Sequence, residues 1–251
     1  MGELKQNGAV NTPTMNPGGI SAFSLKIIAM LTMLIDHIGA ALIYYPYYTA
    51  NLAIPSQEYI FYRMLRNIGR AAFPIYCFLL VEGFFYSQNR KKYALRLGIF
   101  CLISEPVFDM AINTKLLWEK QNVYFTLLIG LVVICCMHKV EEQSLQEWKK
   151  CLLRLLILGA GMGLAWVLKT DYSYKGILVI AAMYQFRMWK AVAQLFGFCV
   201  LSSNPFTSVG FALPFFYHGK RGRGGKVWQY FCYAFYPLHL LFLYCVRKYM
   251  M

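Results

Sequence analysis

The sequence predicts an all-α protein, a polytopic integral membrane helical bundle of about nine transmembrane helices. Three observations lead there. Hydrophobic residues make up 59% of the 251 and charged residues only 14%, where a soluble domain carries about 25% charged. The mean hydropathy is +0.45. The apolar residues also fall into repeated runs, several near the roughly 20 residues that a helix needs to cross a bilayer. A chain of this composition cannot cover a soluble surface and needs lipid as solvent. Its length suits one compact bundle, so residues 1–22 read as a disordered N-terminal segment and 23–251 as a single transmembrane domain.

Residues 1–22 are polar and rich in Gly and Pro. They lack a charged region running directly into a short apolar core and a cleavage site, so they do not read as a signal peptide. A first span runs from about 23 to 45, with Tyr44, Tyr45, Tyr47 and Tyr48 as an interfacial aromatic belt. A polar stretch with Pro55, Glu58, Arg63 and Arg66 follows, and a second span runs from about 68 to 86. Further spans are expected at about 94–113, 122–138, 152–168, 175–186, 190–203, 205–217 and 228–247. The pair around 175–203 is short and is divided by Arg187 and Lys190.

Loop cations set the orientation. With nine spans, Arg90-Lys91-Lys92, Lys139 with Lys149 and Lys150, and the Lys220–Lys226 loop share one side with the N-terminus. That side is expected to be cytoplasmic, in a plasma membrane of the bacterial inner-membrane type. Arg63, Arg66, Arg70, Arg247 and Lys248 fall on the opposite side, against the rule. The net charge of +14 reads as these loops and anionic lipid rather than nucleic acid. The eight cysteines lie mostly inside apolar runs with no CxxC spacing, so neither a disulfide framework nor a metal site is indicated.

An ionisable residue at the centre of a membrane helix costs about 2.5–3.5 kcal/mol on insertion scales, so it persists only when paired, protonated or useful. This chain has Asp36 and His37 in the first span, Glu82 in the second, Glu105 and Asp109 in the third and His239 in the last. Lys26 and His37, eleven residues apart, fall on nearly the same helical face with roughly 16 Å of rise between them. A cation at the helix mouth suits a phosphate-bearing cofactor, and a deep neutral imidazole suits a general base. Equally, Lys26 could snorkel and His37 could bond a backbone carbonyl. Glu105 and Asp109 share a face one turn apart, with Pro106 between them freeing backbone carbonyls. They could serve a polar site or pair with Arg70 or Arg96. His239, after Tyr236-Pro237-Leu238, reads either as a structural or as a catalytic histidine. Asp171, beside Lys169, Tyr172 and Tyr174, sits in a short outer loop where it could contact substrate or merely start a helix.

These segments resemble the TraX family in order along the chain. The matching pieces are Leu25-Lys26 through Asp36-His37-Ile38-Gly39; Ile68-Gly69-Arg70-Ala71-Ala72-Phe73-Pro74; Leu80-Val81-Glu82-Gly83; Tyr93 and Arg96; Ser104-Glu105-Pro106 and Phe108-Asp109; Asn122-Val123-Tyr124; Thr170-Asp171-Tyr172; and Tyr236-Pro237-Leu238-His239. The likeness covers about residues 25–245. That family is named for a protein that acetylates the N-terminal amine of conjugative pilin. Lys26, ten residues, then His37 is also similar to the Arg and His of the acyltransferase-3 family, with Lys replacing Arg, which changes how phosphate can be held.

The resemblance implies a membrane-embedded acetyltransferase. It would move an acetyl group from cytoplasmic acetyl-CoA to an amine or hydroxyl of a peptide N-terminus or surface glycan. His37 would be the base, with Asp36 or a third-span carboxylate (Glu105 or Asp109) orienting it, and Arg70 or His239 would stabilise the oxyanion. Lys26, Arg70 and Arg96 would hold the cofactor phosphates; Glu82, Asp171 and Tyr174 would meet the acceptor. The alternatives are a proton-coupled small-molecule transporter, since intramembrane carboxylates also mark proton relays, and a non-catalytic scaffold.

Overall fold

The computed structural model describes residues 19–112, 120–201, 204–222 and 224–250. Among these residues the regular structure is helical, apart from the isolated bridges Ile20–Tyr217 and Gln121–Thr170. Helix α1 (Ala22–Ile38) is N-capped by Ser21, whose hydroxyl accepts from the backbone N–H of Ser24. It runs into a π-helical stretch, Gly39–Tyr44, and then into α2 (Tyr45–Thr49). The expected disorder of residues 1–22 falls largely outside the described residues. Residues 20–22 themselves are tied down: Ile20 donates to Phe216 O at 2.7 Å and Ala22 to Lys220 O at 3.1 Å.

The polar stretch between the first two expected spans folds as an amphipathic helix, α3 (Ser56–Gly69). Its charges hid the helix from a reading based on apolar runs. It packs antiparallel against α1, with Tyr44 stacked on Tyr62 at 5.1 Å between centroids. The contact is close because the π-helical stretch presents Gly39 there: a Cβ on Gly39 would stand 3.1 Å from Leu65 Cβ. After a break at Arg70 and Ala71, α4 (Ala72–Tyr86) returns along α1. Then follow α5 (Arg90–Ala111), α6 (Val123–Glu141), α7 (Glu147–Val167), α8 (Ser173–Gln185), α9 (Lys190–Leu201) and α10 (Pro205–Ala212). A 3-10 turn, Leu213–Phe216, leads on to α11 (Lys226–Met250). The core lies where α4, α6 and α8 meet; Phe73, Phe84, Leu131, Ile134, Ile177 and Ile180 are fully buried. Small residues let these helices close up: a Cβ on Gly130 would lie 2.4 Å from Ile180 Cδ1.

Among the described residues, four helical stretches are long and apolar enough to cross a membrane: Ala22–Thr49, Ser56–Tyr86, Val123–Glu141 and Glu147–Val167. The other expected spans are shorter or carry more charge: α9 has 12 residues, while α5 holds Arg90, Lys91, Lys92, Arg96, Glu105 and Asp109.

The basic loops gather at one end of the helices. Phe23 N–H donates to Arg221 O at 3.1 Å, the Arg90 guanidinium covers the Phe84 ring at 4.2 Å, and Lys190 lies 6.0 Å from the Tyr217 ring. The opposite end joins Gln121 to Lys169 and stacks Phe73 on Tyr172 at 3.5 Å. Arg247, a cation on the unexpected side, has a structural task there. It is buried and donates to Ala111 O at 2.7 Å and Met110 O at 2.5 Å, satisfying carbonyls at the end of α5. Its guanidinium also lies 3.4 Å from the centre of the Tyr45 ring.

Candidate active site

A buried polar pair joins the first and last helices. His37 Nδ1 and His239 Nε2 stand 2.6 Å apart, with their rings stacked at 5.0 Å between centroids. Both residues are buried. The second nitrogen of His239, Nδ1, is 2.6 Å from Phe235 O. A carbonyl only accepts, so His239 Nδ1 carries the proton, and in a neutral imidazole its Nε2 must then accept. His37 Nδ1 must therefore donate. The chain of donors ends at His37 Nε2, which keeps its lone pair as a neutral imidazole.

That free nitrogen looks toward charge. Asp36 Oδ2 lies 4.0 Å from it and is ion-paired with Arg66 Nη1. The structure thus places Asp36 beside Nε2, while His239 occupies the orienting position on Nδ1. Arg66 comes from α3, and Gly69 allows the approach: a Cβ there would fall 2.2 Å from Asp36 Cβ. Arg70, Lys120 and Asp171 are further electrostatic neighbours of Asp36, and Lys120 bonds Asp171 at 2.6 Å. Arg70 and Asp171 thus gather near the histidine pair, at the end opposite the basic loops. Tyr174, one turn beyond, is exposed.

Toward the basic end lies a cavity of about 710 Å³. Lys26, Lys92, Arg96 and Arg221 line it together with Glu82, and Tyr124 is part of its wall. Lys26 and Arg96 thus share one space; Arg70 does not line it. Arg96 Nε is buried without a hydrogen-bond partner, a donor in want of an acceptor. Glu82 is held by Arg187, with Nε to Oε1 at 2.8 Å.

Of the third-span carboxylates, Glu105 is engaged by the start of α6. Glu105 accepts from Asn122 N at 3.1 Å and from Asn122 Nδ2, while Asn122 Oδ1 caps α6 through Tyr124 N at 2.9 Å. Glu105 therefore anchors the start of α6. Asp109, one turn on, is buried with Glu105 as an electrostatic neighbour. Among the described residues no three His, Cys, Asp or Glu side chains come together as a metal-binding set.

Arg66, Arg187 and Lys120 complete pairs that sequence reasoning left open. Arg66 and Arg187 are cations that broke the expected pattern of a span or loop; Lys120 gave no such signal.

A helical protein with membrane-length apolar helices, a buried imidazole pair and a cation-lined cavity has the character of a helical membrane protein. The comparisons make the assignment specific. The TraX protein family matches residues 21–247, and the chain belongs to it. It is also 30% identical over 256 residues to the probable fimbrial assembly protein FimC, serogroup H1, of Dichelobacter nodosus, covering 91% of this chain and 96% of that protein. No solved structure matches.

Proposed function

We propose that this protein is a membrane-embedded acetyltransferase. It takes its acetyl group from acetyl-CoA on the cytoplasmic side and gives it to an amine or hydroxyl of a peptide N-terminus or surface glycan on the other side. The observation that carries the reading is the buried pair of His37 and His239, with its one free nitrogen directed at Asp36. A relative named for fimbrial assembly supports a surface peptide or polymer as the acceptor. In this reading the chain is one domain that crosses a bacterial inner membrane nine times. α1, α3 with α4, and each of α5 to α11 form one pass apiece, α10 together with its 3-10 turn.

The cavity fits the donor. Lys26, Lys92, Arg96 and Arg221 line it, and their charge can hold phosphate oxygens. Bound there, acetyl-CoA supplies a thioester whose acetyl group can be transferred. His37 Nε2 then removes the proton from the acceptor amine or hydroxyl as that atom attacks the acetyl carbonyl. The same imidazole returns the proton to the departing thiolate. His239 holds the tautomer that leaves Nε2 free, and the nearby Asp36 carboxylate favours the cation formed on His37. Arg70, Asp171 and Tyr174 lie on the side from which the acceptor arrives.

Purified protein in lipid nanodiscs tests this directly. Free thiol should be released from acetyl-CoA when an acceptor peptide or glycan is added, with a mass gain of one acetyl group on the acceptor. A pH-driven solute flux without thiol release would instead identify a transporter.

Two further outcomes are expected. Lys26→Glu should weaken acetyl-CoA binding by at least about tenfold while acceptor binding stays unchanged, because it reverses a charge in the cavity wall. Isothermal titration with each ligand checks it, and unchanged affinity for acetyl-CoA removes Lys26 from the site. The orientation is checked at Gly225, where an added side chain meets open space. In a background without other cysteines, Gly225→Cys should resist an impermeant maleimide applied outside intact cells and react once the cells are opened. Labelling from outside reverses the topology.

A further inference from the structure

Pro237 sits inside α11. A proline has no N–H, and its ring crowds the carbonyl four residues back. The carbonyl of Tyr233 therefore has no partner within its own helix. The structure supplies one from another helix: Tyr124 Oη donates to Tyr233 O at 3.1 Å. Tyr124 stands in the first turn of α6 and is buried. Its ring packs on Tyr236 at 5.0 Å between centroids. Tyr236 in turn meets both histidines edge-on, at 5.8 Å from His37 and 5.7 Å from His239. The same Tyr124 ring lines the cation-lined cavity.

We propose that Tyr124 is a positioning residue: its hydroxyl fixes the bend of α11 at Pro237, and that bend sets His239 against His37. The histidine is two residues beyond the proline, so any change in the bend moves it. Proline kinks are hinges whose angle depends on what fills the vacated hydrogen bond. A hydrogen bond of 2.6 Å between two rings leaves little room for such movement. The effect on turnover rests on the reading of His37 as the base; the effect on the histidine pair does not.

The test uses the full chain in nanodiscs with Tyr124→Phe, Pro237→Ala and the double variant. Phenylalanine keeps the ring and removes only the hydroxyl. The direct readout is the ¹⁵N spectrum of histidine-labelled protein, with His37 and His239 assigned through His37→Gln and His239→Gln. Wild type should show both as Nδ1–H tautomers. Tyr124→Phe should give mixed tautomers for one or both, with turnover down about tenfold while the KM for acetyl-CoA holds within about twofold, because the change is one of geometry. Pro237→Ala restores an N–H for Tyr233 O, so adding Tyr124→Phe should leave its spectrum unchanged. Unaltered histidine signals in Tyr124→Phe would overturn the proposal. So would an equal change in both backgrounds, because the hydroxyl would then act elsewhere. If the wild type releases no thiol at all, the acetyltransferase reading fails, and the spectra still decide the role of Tyr124.

Discussion

His37→Ala is expected to lower acetyl transfer by about 10²–10⁴-fold, the range for loss of a general base. Acetyl-CoA binding should survive, because the cations that line the cavity do not include this residue. The donor chain gives His239 a different role. Its Nε2 accepts from His37 Nδ1, so His239→Ala leaves the base in place but free to take the wrong tautomer. That variant should lose less activity than His37→Ala. His239→Gln should recover part of the loss, since an amide oxygen can accept the same proton. Initial rates of thiol release, with acetyl-CoA affinity measured on the same samples, check the order. A His37→Ala enzyme within about threefold of wild type, beside an inactive His239→Ala, would make His239 the base. Two active variants would remove the histidines from the mechanism.

What the chain revealed beforehand follows from the range of each interaction. Lys26 and His37 are eleven residues apart on one helix, so periodicity alone put them on one face with the cation nearer the basic end. Lys26 lines the cavity, and His37 is not among its lining residues. The partner of His37 was out of reach, because His239 is 202 residues away and no local pattern encodes that pairing. The sequence leaves Asp36 free to orient the imidazole. Once Ser56–Gly69 is a helix packed on α1, Arg66 faces Asp36 and claims it. Glu58, Arg63 and Arg66 break the apolar run and so conceal α3, although an amphipathic helix needs only one apolar stripe. Glu105 shows the opposite limit. Its depth in the chain suggested catalysis, but a carboxylate beside a helix start can serve as well by holding the first turn, and Asn122 takes that role with it.

Glu82 and Arg187 carry the second large expectation. Their side chains are only 9% and 11% exposed, and Arg187 also lies 4.3 Å from the Phe85 ring. Removing one partner of a buried pair leaves a charge without its hydrogen-bonded counter-ion, which destabilises by about 3–5 kcal/mol. Arg187→Ala should therefore lower the midpoint of thermal unfolding by about 10 °C in nanodiscs. Glu82→Gln combined with Arg187→Ala removes both charges and should restore most of that loss. The comparison separates charge from packing: if the double variant is as unstable as Arg187→Ala, the contact with Phe85 is what matters. Glu82 also lines the cavity, so the two variants should differ there too. With Arg187 gone, an unpaired carboxylate faces the donor phosphates and should repel them, raising the KM for acetyl-CoA. In the double variant that repulsion is absent, and the KM should return toward the wild-type value. A KM that stays high in the double variant would assign donor contact to Arg187 itself.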